Sequence, residues 1–499
     1  MNRSKCGAGL FVFLATCTLA APARADEPVT PGIPTIKLPA PALLVQSTAQ
    51  PTPPAAPADA ATPTPPLYPT PKEKQDRKVT DVYSDPTRRD HPAPFDSVFP
   101  TTEYVGPGIG VNQDADPNYP LNKALWNLIP ELKKANIHIY GWVDPSYNIS
   151  TSAKSNLPNT YNFIPNRFEL DQSVINIERQ ADTVQTDHVD WGFVFTGLYG
   201  LDYRFTTAKG YFSNQLLKSN NLYGFDPVVM YGMLYLPKVA EGMKLTLGRY
   251  ISPPDIEAQL APQNFLFSHS EMFGVDAYTM TGLRADIKFS PMWTVGVGVH
   301  AGTDVAPWSN SAHVSGQIEA KWTSKDNNDS FYGGVDSFNQ STEFTNGHDN
   351  LQQFNLTYQH RFDSGFLTAT EVYYLYSKNA YLGGTFVDGT SAFGTGGGGG
   401  AFLPGKSEAF GYVNYTEKQI NKHDYLSFRT DLLFDQRGWR DAVPGTIYGT
   451  VTLGYSHKFS DLTQIRPEIK FEHSFGGLGY DGGTKNHQTV FGLDLIQRF

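Results

Sequence analysis

Cysteine is nearly missing from this chain. Its 499 residues include two, Cys6 and Cys17, both within the first 20 positions. The remainder therefore holds no disulfide, thiolate metal site or cysteine nucleophile. Charge is sparse too: 18% of residues are ionisable and the formal net charge is −10. No run of Lys and Arg interrupts that acidic balance, which argues against a groove for nucleic-acid phosphates. No later stretch reaches the ~18 consecutive apolar residues that a spanning helix needs. The 12 histidines form no H-E-x-x-H and no i, i+4 pair, so neither a metal centre nor a cofactor is expected.

What is abundant favours β-structure: 13% aromatic residues, with 27 Tyr and 32 Phe, and 46 Gly. The chain begins with Arg3 and Lys5, an apolar stretch GAGLFVFLATCTLA (7–20) and Ala23-Arg24-Ala25. This is the layout of a secretory signal peptide, residues 1–25, cleaved after Ala25. A lipid on Cys17 is the competing reading, and Thr16 before it fits that reading poorly. Residues 26–100 carry 18 of the 36 prolines and read as an extended, disordered tether with no ladder or core of its own. Residues 101–135 form a short pre-barrel segment. In it, LNKALWNLIPELKKAN (121–136) puts Leu121, Leu125, Leu128 and Leu132 on one helical face, with Pro130 to kink or split it.

From residue 136 to Phe499 the period changes to two. RPEIKFEHSF (466–475) alternates Arg466, Glu468, Lys470 and Glu472 with Ile469, Phe471 and Phe475. LSFRTDLLFDQR (426–437) sets Arg429, Asp431, Asp435 and Arg437 against Leu426, Phe428, Leu432 and Phe434. GLRADIKF (282–289) does the same with Arg284, Asp286 and Lys288, and GQIEAKW (316–322) with Glu319 and Lys321. Roughly sixteen such segments fit, one per ~23 residues, which suits long strands joined alternately by short turns and longer loops. A soluble sandwich alternates as well. The last strand, VFGLDLIQRF (490–499), favours the membrane, because bacterial outer-membrane barrels resemble it in ending on an aromatic residue that the assembly machinery reads, here Phe499. The fold expected is an all-β, closed antiparallel transmembrane barrel of about sixteen strands, preceded by the Pro-rich segment and the short helix. Tyr140, Trp142, Tyr373, Tyr374, Tyr376, Tyr412 and Tyr415 are candidates for aromatic girdles at the headgroups.

GAFLPGKS (400–407) matches the phosphate-binding pattern G-x-x-x-x-G-K-[ST]. Its flanks do not: glycines precede it, strand-type residues follow it, and no helix start is available to cradle phosphate. It reads instead as a hairpin loop closed by Pro404-Gly405. Ser268-His269-Ser270 places hydroxyls beside an imidazole, the one hint of a hydrolase, without an orienting third group.

Five blocks then carry a resemblance: IYGWVDPSYN (139–148), FELDQSVINIERQ (168–180), WGFVFTGLYGLDYRF (191–205), APQNFLFSHSEMF (261–273) and IRPEIKFEHS (465–474). Over about residues 121–499 the chain resembles the OmpL-like β-barrel porins of Gram-negative bacteria. The resemblance implies an outer-membrane barrel passing small hydrophilic solutes and ions, with no catalytic residue. Its partners would be outer-membrane lipid, the barrel assembly machinery, small polar solutes and other copies of itself. A closed structural or adhesive barrel and an outer-membrane hydrolase are the alternatives.

If the charged faces line the lumen, Arg284, Lys288, Lys321, Arg361, Arg429, Arg437, Arg466 and Lys470 stand against Asp286, Glu319, Glu371, Asp431, Asp435, Glu468 and Glu472. That balance implies weak ion selectivity. Loops near 206–225, 251–275 and 379–408 are candidates to narrow the pore. On the sequence alone, Arg437→Glu is expected to move the reversal potential of the channel modestly toward cations.

Overall fold

A computed structural model describes residues 109–110, 119–252, 256–325, 328–339, 351–362, 365–383, 401–441 and 443–499. The expected signal peptide (1–25) and tether (26–100) lie outside the described residues. In the pre-barrel segment Pro130 splits the expected helix into Pro120–Leu128 and Pro130–Lys134. Each piece starts on a proline, whose missing N–H is harmless in the first turn.

Sixteen strands follow: β1 (His138–Ser150), β2 (Phe168–Arg179), β3 (Asp190–Gly200), β4 (Gly224–Leu236), β5 (Met243–Ile251), β6 (Thr279–Lys288), β7 (Trp293–Thr303), β8 (Ser315–Thr323), β9 (Asp329–Phe338), β10 (Gln352–Arg361), β11 (Phe366–Tyr381), β12 (Phe402–Gln419), β13 (Asp424–Asp435), β14 (Thr446–Ser460), β15 (Thr463–Ser474) and β16 (His487–Arg498). Each pairs antiparallel with its neighbour in sequence, and β1 pairs with β16 to close the barrel. Closure matters physically because lipid offers no partner for an edge amide.

Alternation assigns the two faces. On β13 the outward Leu426, Phe428 and Leu432 are exposed, while Arg429 and Asp431 are buried inside. At one end the connections are short, as at 289–292, 420–423 and 461–462; at the other they are long, as at 201–223 and 252–278. Short turns mark the periplasmic end of outer-membrane barrels, so the long loops face outward from the cell.

Several expected placements are corrected. Tyr140 and Trp142 face the lumen at the periplasmic end: Tyr140 stacks on Tyr119 (4.5 Å), and the Trp142 indole N–H bonds to Gln172 (3.1 Å). Tyr373 and Tyr415 are also buried inside, leaving Tyr374, Tyr376 and Tyr412 on the outer face. Pro404-Gly405 closes no hairpin. Both lie within β12, where Gly405 takes φ 79 beside a register shift at Lys378/Ala380. Lys406 lies over the rings of Tyr374 and Tyr376.

The barrel seam depends on Phe499. Its N–H donates to the Gly141 carbonyl (3.0 Å) and its carbonyl accepts from the Gly141 N–H (3.2 Å). A Cβ at position 141 would lie 2.1 Å from the Val174 oxygen and 2.9 Å from the Phe499 ring. Gly141→Leu is therefore expected to cut the yield of heat-modifiable barrel on unheated gels severalfold. Gly232→Leu, where a Cβ meets nothing nearer than 3.9 Å, should fold normally.

Candidate functional site

The connection between β5 and β6 does not stay at the rim. From Ile256 to Val275 its residues are buried, including the short 3-10 turns Ala261–Gln263 and Phe273–Val275. With so little regular structure, this backbone has few internal partners for its N–H and C=O groups, and each must be satisfied by something else. The inward side chains of the wall do so. Arg429 donates to the carbonyls of Ser268 and His269 and to Glu257. Arg466, paired with Asp494, donates to the carbonyls of Ala261 (2.8 Å) and Asn264 (2.6 Å). Glu468 accepts from the N–H groups of Phe267 (2.9 Å) and Ser268 (3.1 Å), and Asp431 from that of Glu271 (3.0 Å). Lys470 reaches the His269 carbonyl, Glu271, Glu472 and, from the 151–167 loop, Asn159. Glu371 and Gln353 accept from Ile256 and Ala277, and Gln172 from Ala261.

Apolar packing completes the attachment. Gly454, Gly492 and Gly411 face inward on β14, β16 and β12, and a Cβ on each would strike Leu266 (2.1 Å), Phe267 (2.8 Å) and Met272 (2.4 Å) respectively. These glycines are sockets in the wall for the three apolar side chains of the loop. The loop thus lies against the arc from β10 through β16 to β2.

A second set of charges, on β5 to β8, pairs within the wall. Arg284 donates to Asp286 (2.8 Å) and pairs with Glu319, while Lys244 lies 3.6 Å from Asp286. Between these strands β7 presents Gly296 and Gly298, over which Arg284 and Gln317 lie flat. A third arc, on β1 and β2, is acidic: Asp144, Glu169 and Asp171 are buried there.

The expected lumen residues therefore divide. Arg284, Asp286, Glu319 and Lys321 share one wall. Lys288 and Arg361 close the periplasmic ends of β6 and β10. Arg429, Asp431, Arg466, Glu468, Lys470 and Glu371 hold the inserted loop, and Glu472 pairs with Lys470 and accepts from Gln488. Asp435 accepts from the N–H groups of Trp439, Arg440 and Asp441 and so shapes the 436–445 turn. Arg437 is not in the wall: it follows the last residue of β13 and donates to the carbonyls of Pro404 and Lys406. The expected selectivity shift at Arg437 loses its basis, because alternation continued past the end of the strand. Sequence reasoning passed over Lys244, Glu257, Asp144, Glu169 and Asp171. Lys244, Glu169 and Asp171 were available from the same alternation in MKLTLGRY (243–250) and FELDQ (168–172).

Ser268, His269 and Ser270 do not form a relay. The His269 ring lies between Tyr161 (4.1 Å) and Phe273 (4.6 Å) with Nε2 on the Ala258 carbonyl (2.9 Å). Ser268 Oγ accepts from Arg429 (3.0 Å), and Ser270 Oγ donates to Glu257. Among the described residues no group of three or more His, Cys, Asp or Glu could hold a metal ion.

Losing one partner of a buried charge pair costs about 3–5 kcal/mol. Arg429→Gln should therefore lower the melting temperature and expose 256–275 to protease, with noisier single-channel currents. Arg437→Gln should leave all three readouts unchanged.

Three solved barrels are similar in fold. They are the anion-selective porin from Comamonas acidovorans (11% identity, TM-score 0.45, covering 73% of this chain and 99% of that one), Pseudomonas putida OprB (13%, 0.45, 75% and 97%) and the outer membrane channel DcaP of Acinetobacter baumannii (11%, 0.43, 73% and 97%). Among curated proteins no sequence match is found. Residues 136–499 match the family model described as "Putative beta-barrel porin-2, OmpL-like", which spans all sixteen strands. The chain belongs to this OmpL-like porin family, as a barrel of the outer membrane.

Proposed function

We propose that the protein is a passive, weakly selective channel for small hydrophilic solutes and ions, and that its open path runs along the β5–β8 wall. The supporting observation is a difference in exposure. Arg284, Asp286 and Lys321 retain 7%, 8% and 7% accessibility, whereas Arg429, Asp431, Arg466, Glu468 and Lys470, which hold the loop, retain 0%, 1%, 2%, 4% and 1%. The charges on the loop side are already used by the loop; Arg284, Asp286 and Lys321 keep a small solvent-accessible area. Lys244, Arg284 and Lys321 against Asp286 and Glu319 leave a surplus of one positive charge, which suits weak selectivity.

A second reading, a closed barrel, has its own observation. The pre-barrel segment is docked at the periplasmic end, with Arg498 bonded to Tyr119, the Ile139 N–H donating to Asn122 (2.8 Å) and the Trp126 indole donating to the Ile137 carbonyl (2.7 Å).

Both readings are tested by single-channel recording of refolded protein in a planar bilayer under a KCl gradient, with and without residues 26–135. Steps of similar size from both forms support an open pore. Steps only after removal of the segment make it a plug, and no steps from either form would refute the channel. In an open pore, Lys321→Glu changes the local balance from one surplus positive to one surplus negative charge and is expected to move the reversal potential toward cations. An unchanged potential would take β8 out of the conducting path.

A further inference from the structure

The histidines make no i, i+4 pair along the sequence, but the barrel brings two of them together on its outer face. His473 is the penultimate residue of β15 and His487 the first of β16. They are register partners, directly opposite one another across the antiparallel pair. Their parity is that of the exposed Phe471 and Phe491, so both imidazoles leave the wall on the side away from the lumen. Side chains directly opposite in a ladder have Cβ atoms about 4.5–5.5 Å apart. The two rings stack at 6.4 Å between centroids, with 22° between their planes.

Their surroundings hold the rings and leave nitrogen lone pairs available. His487 Nδ1 lies 2.9 Å from Asn486 Oδ1. An amide oxygen only accepts, so Nδ1 carries the proton and Nε2 presents its lone pair, the tautomer that a metal needs. Among the described residues no hydrogen bond engages the His473 ring, which meets Phe475 edge-on (4.6 Å). A Cβ on Gly449, the β14 partner of His473, would lie 3.1 Å from the Phe475 ring. Phe475 therefore fills the β14 side of His473 and keeps its imidazole toward β16.

We propose that His473 and His487 form a surface site for a divalent transition metal, Cu2+ above all, held by one nitrogen of each imidazole with water in the remaining positions. Imidazole suits copper, nickel and zinc, and copper binds nitrogen sites most tightly of the three. With metal–nitrogen bonds of about 2.0–2.1 Å, the two nitrogens come within about 4.2 Å of one another. Rotation of the exposed His487 about its side-chain bonds supplies that approach, while Phe475 keeps His473 in place. Because the ladder fixes both Cβ atoms, the second imidazole binds as an intramolecular ligand at high effective concentration. The ion ties β15 to β16 at the end that faces outward from the cell, whether or not the lumen conducts.

The test titrates Cu2+ into the full-length protein, free of any histidine tag, in phosphatidylcholine nanodiscs, and follows the electron paramagnetic resonance spectrum. The wild-type protein should take up one tightly bound Cu2+ per chain, with hyperfine structure from two nitrogens. His473→Gln and His487→Gln should each weaken that binding roughly 100-fold and leave a single nitrogen, while the barrel remains heat-modifiable. Should one variant misfold, the other decides alone. His423→Gln, which removes an exposed histidine at the opposite end of the barrel, should bind as the wild type does. Zn2+ should compete for the site, and Ca2+, which takes oxygen ligands, should not. Equal affinity of wild type and single variants, an equal loss in His423→Gln, or displacement of Cu2+ by equimolar Ca2+ would each overturn the site.

Discussion

An irregular backbone threaded through a barrel must find a partner for each amide and carbonyl, and this single requirement organises the interior. Neighbouring strands cannot supply those partners, because their own ladders are complete. Side chains must, and ionised ones serve best because charge-assisted hydrogen bonds are the strong ones. This accounts for Arg429 reaching two loop carbonyls, Arg466 two more, and Glu468 two loop N–H groups. Charges that would be expensive to bury alone are tolerable here because each has backbone to hold, and Arg429 and Arg466 have charged partners as well.

Unequal use of the wall follows from that attachment. Strands β12, β14 and β16 give up side-chain volume at Gly411, Gly454 and Gly492 so that Met272, Leu266 and Phe267 can seat. With one arc committed to the loop, the charges on β5–β8 pair within the wall instead. Glycines there serve a different end. Gly296 and Gly298 leave room for Arg284 and Gln317 to lie against the wall.

The outer face obeys the opposite rule. Facing lipid, β13 shows Leu426, Phe428 and Leu432, and polar groups concentrate toward the rims.

Alternation by itself determined the architecture: a period of two fixes which side chains share a face, and the charges it grouped on β6, β8, β13 and β15 are buried together within those strands. Phe499 at the end of an alternating strand was legible for the same reason. The sequence could not say which inward charges would meet water and which would meet protein, because Arg284 and Arg429 have the same local pattern and differ only in what lies across the lumen. Nor could alternation mark its own end, and so Arg437 was counted with the wall and Pro404-Gly405 with a hairpin. Tyr140 and Trp142 looked like girdle residues because aromatic type is common to both faces of β1; docking of Tyr119 and Gln172 against them is a contact between distant positions. The insertion of 256–275 is likewise a tertiary event. Its residues show no period, and their conformation is set by donors and acceptors from the far wall.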